Sequence, residues 1–130
     1  MMKFTSKETA FLKKNEVCRL ATASRDAKPH VTPVCYIFRE GHFYIVTDYN
    51  TKKYKNVLEN PKVALVVDFY NPHKAVAVEG EVEILKRGEE FRRVSDLFYR
   101  KFDWARKDPW EEGESPILKI KPLKKASLGL

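Results

Sequence analysis

The stretch Phe43-Tyr-Ile-Val-Thr-Asp-Tyr-Asn-Thr-Lys-Lys-Tyr-Lys-Asn-Val-Leu-Glu-Asn-Pro61 decides how the rest of the 130-residue chain is read. Its opening residues, Phe43 to Asp48, are rich in β-branched and aromatic types and read as a strand. Thr51 is a good N-cap, so a short helix is expected from there to about Glu59. Asn60-Pro61 stops it, because a residue before proline is pushed out of helical geometry. Tyr54, Val57 and Leu58 lie three and four apart and are expected to form the buried face, with Lys53 flanking it and Asn56 pointing away. Lys52, Lys53 and Lys55 fall in the first turn, where the helix dipole disfavours each cation by roughly 0.3–1 kcal/mol. No acid offsets them. A helix start with free N–H groups, a threonine hydroxyl and crowded ammonium groups is an anion site, with phosphate its usual occupant. A solvated lysine-rich turn is the reading that local composition leaves open beside it.

On the N-terminal side, Thr5-Ser-Lys-Glu8 is a capping box that opens a helix ending near Asn15. Val17 to Ser24 reads as a strand, closed by the turn Arg25-Asp26-Ala27-Lys28. Pro29 to Arg39 reads as one further strand, apolar on both faces: Thr32, Val34, Tyr36 and Phe38 on one, Val31, Pro33, Cys35 and Ile37 on the other. Pro33 cannot donate to a ladder and marks an edge or a bulge.

On the C-terminal side, Val63 to Phe69 is a continuous apolar run, expected to be buried on both sides. Ala75 to Leu85 alternates, with Val76, Val78, Val82 and Ile84 inward and Glu79, Glu81 and Glu83 outward. Gly80 within it predicts a bend of the kind that small barrels need. Glu89 to Phe102 is an amphipathic helix with Phe91, Val94, Phe98 and Phe102 on its apolar face. Trp104 to Glu114 is charged and reads as irregular, and Pro116 to Leu130 returns to strand character. The fold class expected is therefore mainly β with peripheral α: a small antiparallel barrel of about six to seven strands, residues 1–130 forming one domain.

Length fits a single core. A hydrophobic content of 43% is that of a globular chain, and the formal charge of +7 suits an anionic partner. Nucleic acid, an acidic membrane and a phosphorylated small molecule all meet that description. No apolar run approaches the roughly 18 residues of a membrane span and no secretory segment opens the chain, so a cytoplasmic protein without a membrane partner is expected. Cys18 and Cys35 read as small buried hydrophobes, and neither their spacing nor that of His30, His42 and His73 is that of a metal site. The three histidines read as surface residues. No Gly-rich phosphate loop, nucleophile elbow or acid–base pair stands out, so catalytic residues are not assignable and any difficult chemistry falls to a cofactor.

Five segments in order carry a resemblance: Arg19-Leu-Ala-Thr22, Pro29-His-Val-Thr-Pro-Val34, Phe43-Tyr-Ile-Val-Thr47, Thr51-Lys-Lys through Glu59-Asn-Pro-Lys-Val-Ala-Leu65, and Val76-Ala-Val-Glu-Gly-Glu-Val-Glu83. Together they resemble the FMN-binding split-barrel family related to pyridoxamine 5′-phosphate oxidase. The resemblance implies an FMN cofactor with Thr32, Pro33, Val34 and Cys35 against the flavin ring. It implies Val46 and Thr47 along the ribityl chain and phosphate end, and Thr51, Lys52 and Lys53 on the phosphate. It further implies an oxidoreductase working on a small molecule, in a homodimer with the flavin at the interface. A deazaflavin coenzyme is the alternative ligand; a binding module that stores FMN or holds single-stranded nucleic acid is the alternative function. The family's oxidases place basic residues near Thr32 and Ile37 and an arginine in a C-terminal motif. This chain has neither, nor the family's tryptophan near Leu128, so a true pyridoxamine 5′-phosphate oxidase is not expected.

Overall fold

The computed structural model describes residues 2–130. Helix α1 (Ser6–Lys14) starts at the capping box: Thr5 Oγ1 accepts from the Glu8 amide at 3.0 Å and Glu8 Oε1 from the Thr5 amide at 2.8 Å. Strand β1 (Val17–Ala23) follows, then β2 (Pro29–Cys35), β3 (Ile37–Arg39) and β4 (His42–Val46). Helix α2 (Lys52–Glu59) leads to β5 (Lys62–Phe69) and β6 (Lys74–Leu85). Helices α3 (Glu89–Lys101) and α4 (Asp103–Lys107) precede the last strand, β7 (Ile117–Leu128).

The seven strands form one antiparallel sheet in the order β2-β1-β5-β6-β7-β4-β3. Its two edge strands, β2 and β3, are consecutive in the chain and separated by Tyr36 alone. One residue spans at most about 3.6 Å, so the sheet must curl until its edges meet. Covalent continuity thus forces a barrel that hydrogen bonding leaves split. The expected single strand from Pro29 to Arg39 is therefore two, broken at fully buried Tyr36. Its neighbour Pro33 sits on an edge strand, as its missing N–H requires.

Two cores lie on opposite sides of the sheet. Inside the curl, Cys18, Leu20, Phe43, Ile45, Leu65, Val78 and Leu118 pack with Phe11 and Leu12 of α1 and Tyr54 and Val57 of α2. Outside, Phe91, Val94, Phe98 and Ala105 of α3 and α4 cover Ile37, Tyr44 and Ile117. Helix α4 occupies part of the stretch expected to be irregular; buried Ala105 anchors it there. Strand β6 is irregular at Gly80, where a bend was expected: the β6–β7 register shifts at Glu79/Gly80, and a Cβ on Gly80 would lie 2.5 Å from the Lys121 carbonyl oxygen. The remaining outer face, across β2, β1, β5 and β6, has no helix over it among the described residues. Val31 is 64% exposed, and Ala64 and Val66 are half-buried. Neither β2 nor β5 is therefore buried on both sides, contrary to their apolar composition.

Candidate functional site

Helix α2 begins as its sequence requires. Thr51 is the N-cap, its hydroxyl accepting from the Tyr54 amide at 3.3 Å and donating to the Asp48 carbonyl at 2.9 Å. Thr47, buried at the end of β4, pairs its hydroxyl with that of Thr51 at 2.9 Å. The amides of Lys52 and Lys53 have no intrahelical acceptor, as in any first turn. No acid stands in that turn, and among the described residues Lys52, Lys53 and Lys55 form no ion pair. Lys53 is half-buried whereas Lys52 and Lys55 are exposed, so Lys53 does flank the packed face.

That face differs from expectation in two residues. Leu58 is 57% exposed, and Asn56 is 6% exposed. Asn56 Nδ2 donates to the buried Thr22 hydroxyl at 3.0 Å, pinning α2 to β1. A buried polar pair of this sort rotates the helix so that Tyr54, Val57 and Asn56 point inward together. Hydrophobicity alone cannot signal it, because Asn56 contributes through a bond rather than through area.

Strand β2 presents its residues alternately. Thr32 and Val34 lie opposite Leu20 and Cys18 on the inner face; Pro33 and Cys35 point outward. Thr32, Pro33, Val34 and Cys35 therefore do not share one face, and what they have in common is the free backbone edge of β2. The Thr32 hydroxyl oxygen is buried without a hydrogen-bond partner, as is His30 Nδ1 two residues earlier, so His30 is not the surface residue expected. Unspent hydrogen-bonding capacity on this strand fits a polar ligand lying against it.

Across the split, the β3–β4 register pairs Ile37 with Tyr44. The ladder stops there, and Cys35 and Val46, each just beyond it, both pack on the outer core. Cys35 is half-buried, not fully buried as expected, whereas burial pushes the Cys18 thiol up to about 12. Two crevices share Trp104 in their walls. One of about 480 Å³ is lined by Val17, Cys35, Lys101 and Trp104; the other, about 270 Å³, by Val46, Thr47, Asp48, Trp104 and Trp110. The expected residues thus run in sequence from Cys35 in one crevice, through Val46 and Thr47 in the other, to Thr51, Lys52 and Lys53 at the start of α2. Trp104, Trp110 and Lys101 border the site without having been expected there. Their signal was hidden in the segment read as irregular and on the polar end of α3.

The pyridoxamine 5′-phosphate oxidase family model matches residues 4–126. The chain belongs to this family of split-barrel, flavin-binding proteins. It is 34% identical over 102 residues to a pyridoxine/pyridoxamine 5′-phosphate oxidase of Wolbachia pipientis, covering 77% of this chain and 45% of that one. It is also 34% identical over 101 residues to a 5a,11a-dehydrotetracycline/5a,11a-dehydrooxytetracycline reductase of Streptomyces rimosus, covering 71% of each. An FAD-binding protein of Mesorhizobium loti superposes with a TM-score of 0.76 at 26% identity, over 95% of this chain and 94% of that one. The chain spans less than half the length of the pyridoxine/pyridoxamine oxidases it matches. No helix among the described residues is long and apolar enough to cross a membrane, and no group of side chains there could hold a metal ion.

Proposed function

We propose that the protein is an FMN-dependent oxidoreductase that acts on a small molecule at the split of its barrel. The observation that carries this reading is the start of α2: two bonded threonine hydroxyls and unpaired lysines at a helix N-terminus. Lys53 and Lys52 neutralise the phosphate, and Thr51 and Thr47 orient it. The free backbone edge of β2 from Thr32 to Cys35 holds the polar rim of the ring, while Cys35 and Val46 exclude water from its apolar part. Bound FMN supplies the capacity to accept and pass on hydride or electrons; the chain supplies placement and electrostatics.

Family kinship favours a flavin over haem, and the donor set at α2 favours one with a compact terminal phosphate. Titration of apo-protein with FMN and with a deazaflavin coenzyme tests the choice. Saturable FMN binding in the visible spectrum is expected, and tighter binding of the deazaflavin would overturn it. Pyridoxine 5′-phosphate is not the substrate expected. Its phosphate would be the second in the site, beside that of FMN, and would need its own cation by the ring; Ile37, at 6% exposure, offers none, and the ammonium of Lys101 is taken up by the Asn15 and Tyr36 carbonyls. Robust conversion of that compound to the aldehyde would refute this part of the proposal. Tyr36, Phe38, Phe43 and Tyr44 are buried, so they offer no platform on which nucleic-acid bases could stack.

A further inference from the structure

Tyr36 is the joint at which the curled sheet closes. It is the single residue between two edge strands, and the ladder breaks there. Its amide donates to the Glu16 carbonyl at 3.1 Å, and its hydroxyl donates to the Leu12 carbonyl. Its own carbonyl faces Lys101, whose Nζ approaches at 3.4 Å. The same ammonium donates to the Asn15 carbonyl, just past α1, at 2.6 Å. It also lies 4.8 Å from the centre of the Tyr36 ring and 5.4 Å from that of Phe102. Lys101 forms no ion pair among the described residues; its bonds go to backbone, and burial lowers its pKa. A half-buried cation used in this way ties three chain segments together: the end of α1, the β2–β3 junction and the end of α3. It does so beside the crevice that contains Cys35.

We infer that Lys101 is the positioning residue for the ring-binding end of β2, a role that rests on the flavin reading above. It acts through the Asn15 and Tyr36 carbonyls, to which its ammonium is bonded. It fixes the Tyr36 carbonyl, and through it the path of Cys35 at the mouth of the split. Loss of this tie weakens contacts to the flavin ring and leaves the phosphate cradle at α2 intact. Ring and phosphate contributions separate when FMN is compared with riboflavin, which lacks the phosphate.

The test titrates wild type, Lys101→Met, Lys101→Arg and Lys53→Ala with both flavins by fluorescence quenching. Deuterium uptake of the ligand-free proteins is measured over residues 33–37. Lys101→Met is expected to weaken FMN and riboflavin by the same factor, about tenfold, and to speed exchange at the junction. Lys53→Ala is expected to weaken FMN alone. Lys101→Arg, which retains the charge but not the compact ammonium, falls between wild type and Lys101→Met for both ligands. It carries the same comparison if the methionine variant does not fold. A loss confined to FMN, or unchanged exchange at residues 33–37, overturns the positioning role while leaving the flavin reading standing. Wild type that binds neither flavin overturns the flavin reading, and the ligand half of this inference falls with it.

Discussion

At the scale of single residues, the lysines of α2 are separable by position. Lys53 flanks the buried face, whereas Lys55 is exposed and one place round from Tyr54. A charge-assisted hydrogen bond is worth roughly 1.5–3 kcal/mol, so Lys53→Ala should weaken FMN about ten- to a hundredfold. Lys55→Ala should change affinity much less, as calorimetric titration of both variants would show. Equal losses would mean diffuse charge in place of a phosphate cradle. Removing one of three cations from the positive end of a dipole should also raise the melting temperature of the ligand-free protein slightly. Glu8 is a second residue with a legible role. Burial alone would raise its pKa, but bonds from Lys125 Nζ at 2.5 Å, from the Ser127 hydroxyl and from the Thr5 amide lower it from 4.5 to about 2. The folded state therefore binds this proton more weakly than the unfolded chain does. The stabilisation is full above about pH 4.5 and is lost as pH falls toward 2. Glu8→Gln should melt lower at neutral pH and flatten the acid limb of stability between those values. An unchanged acid limb would show that Glu8 does not carry it.

At the scale of elements, sequence pattern read the helices and strands well wherever one period ran unbroken. The Thr5 capping box, the Thr51 cap and the Glu79-to-Glu83 alternation each rest on local chemistry, and each stands in the structure. The failures share a cause: the outcome was set by a partner distant in sequence. Asn56 is buried because Thr22 awaits it, and Leu58 is exposed because that bond fixes the helix rotation. The break at Tyr36 follows from the closure of the sheet, which the local pattern from Pro29 to Arg39 cannot announce. Around the candidate site, the Thr51 cap and the flanking place of Lys53 were legible because local helix chemistry sets them, whereas Thr47 came only from the family resemblance. Lys101 and Trp104 were not legible, since only the tertiary fold brings α3 and α4 beside Cys35. Gly80 gives the element-scale prediction. Any Cβ there meets the Lys121 carbonyl, a backbone atom that cannot swing aside. Gly80→Ala should cost about 1–3 kcal/mol in denaturant unfolding. A loss under about 0.5 kcal/mol, the range of an ordinary surface change, would show that the bulge tolerates a side chain.

At the scale of the whole molecule, the sheet is covered on its inner face by the first core and on one end of its outer face by α3 and α4. The other end of the outer face carries Ala21, Val31, Ala64, Val66, Ala77 and Ala126 around a groove of about 440 Å³. Small apolar residues on five neighbouring strands leave a shallow apolar surface onto which another sheet can settle closely. Arg19, Glu79 and Lys124 line the same groove, so its rim bears both signs of charge. A patch apolar at its centre and mixed in charge at its edge can be complementary to itself across a two-fold axis. We therefore predict a homodimer through this face, for a reason broader than the composition of β2 alone. An arginine at the centre of the groove would place a charge against its own symmetry mate. Ala64→Arg should thus yield monomers by light scattering while the fold, read by circular dichroism, is retained. If the flavin lies at the interface, the same variant should lose FMN, and wild-type affinity should fall on dilution below the dimer dissociation constant. A wild-type monomer that holds FMN in light scattering would rule the dimer out. A dimer whose Ala64→Arg form still binds FMN would place the flavin within a single chain.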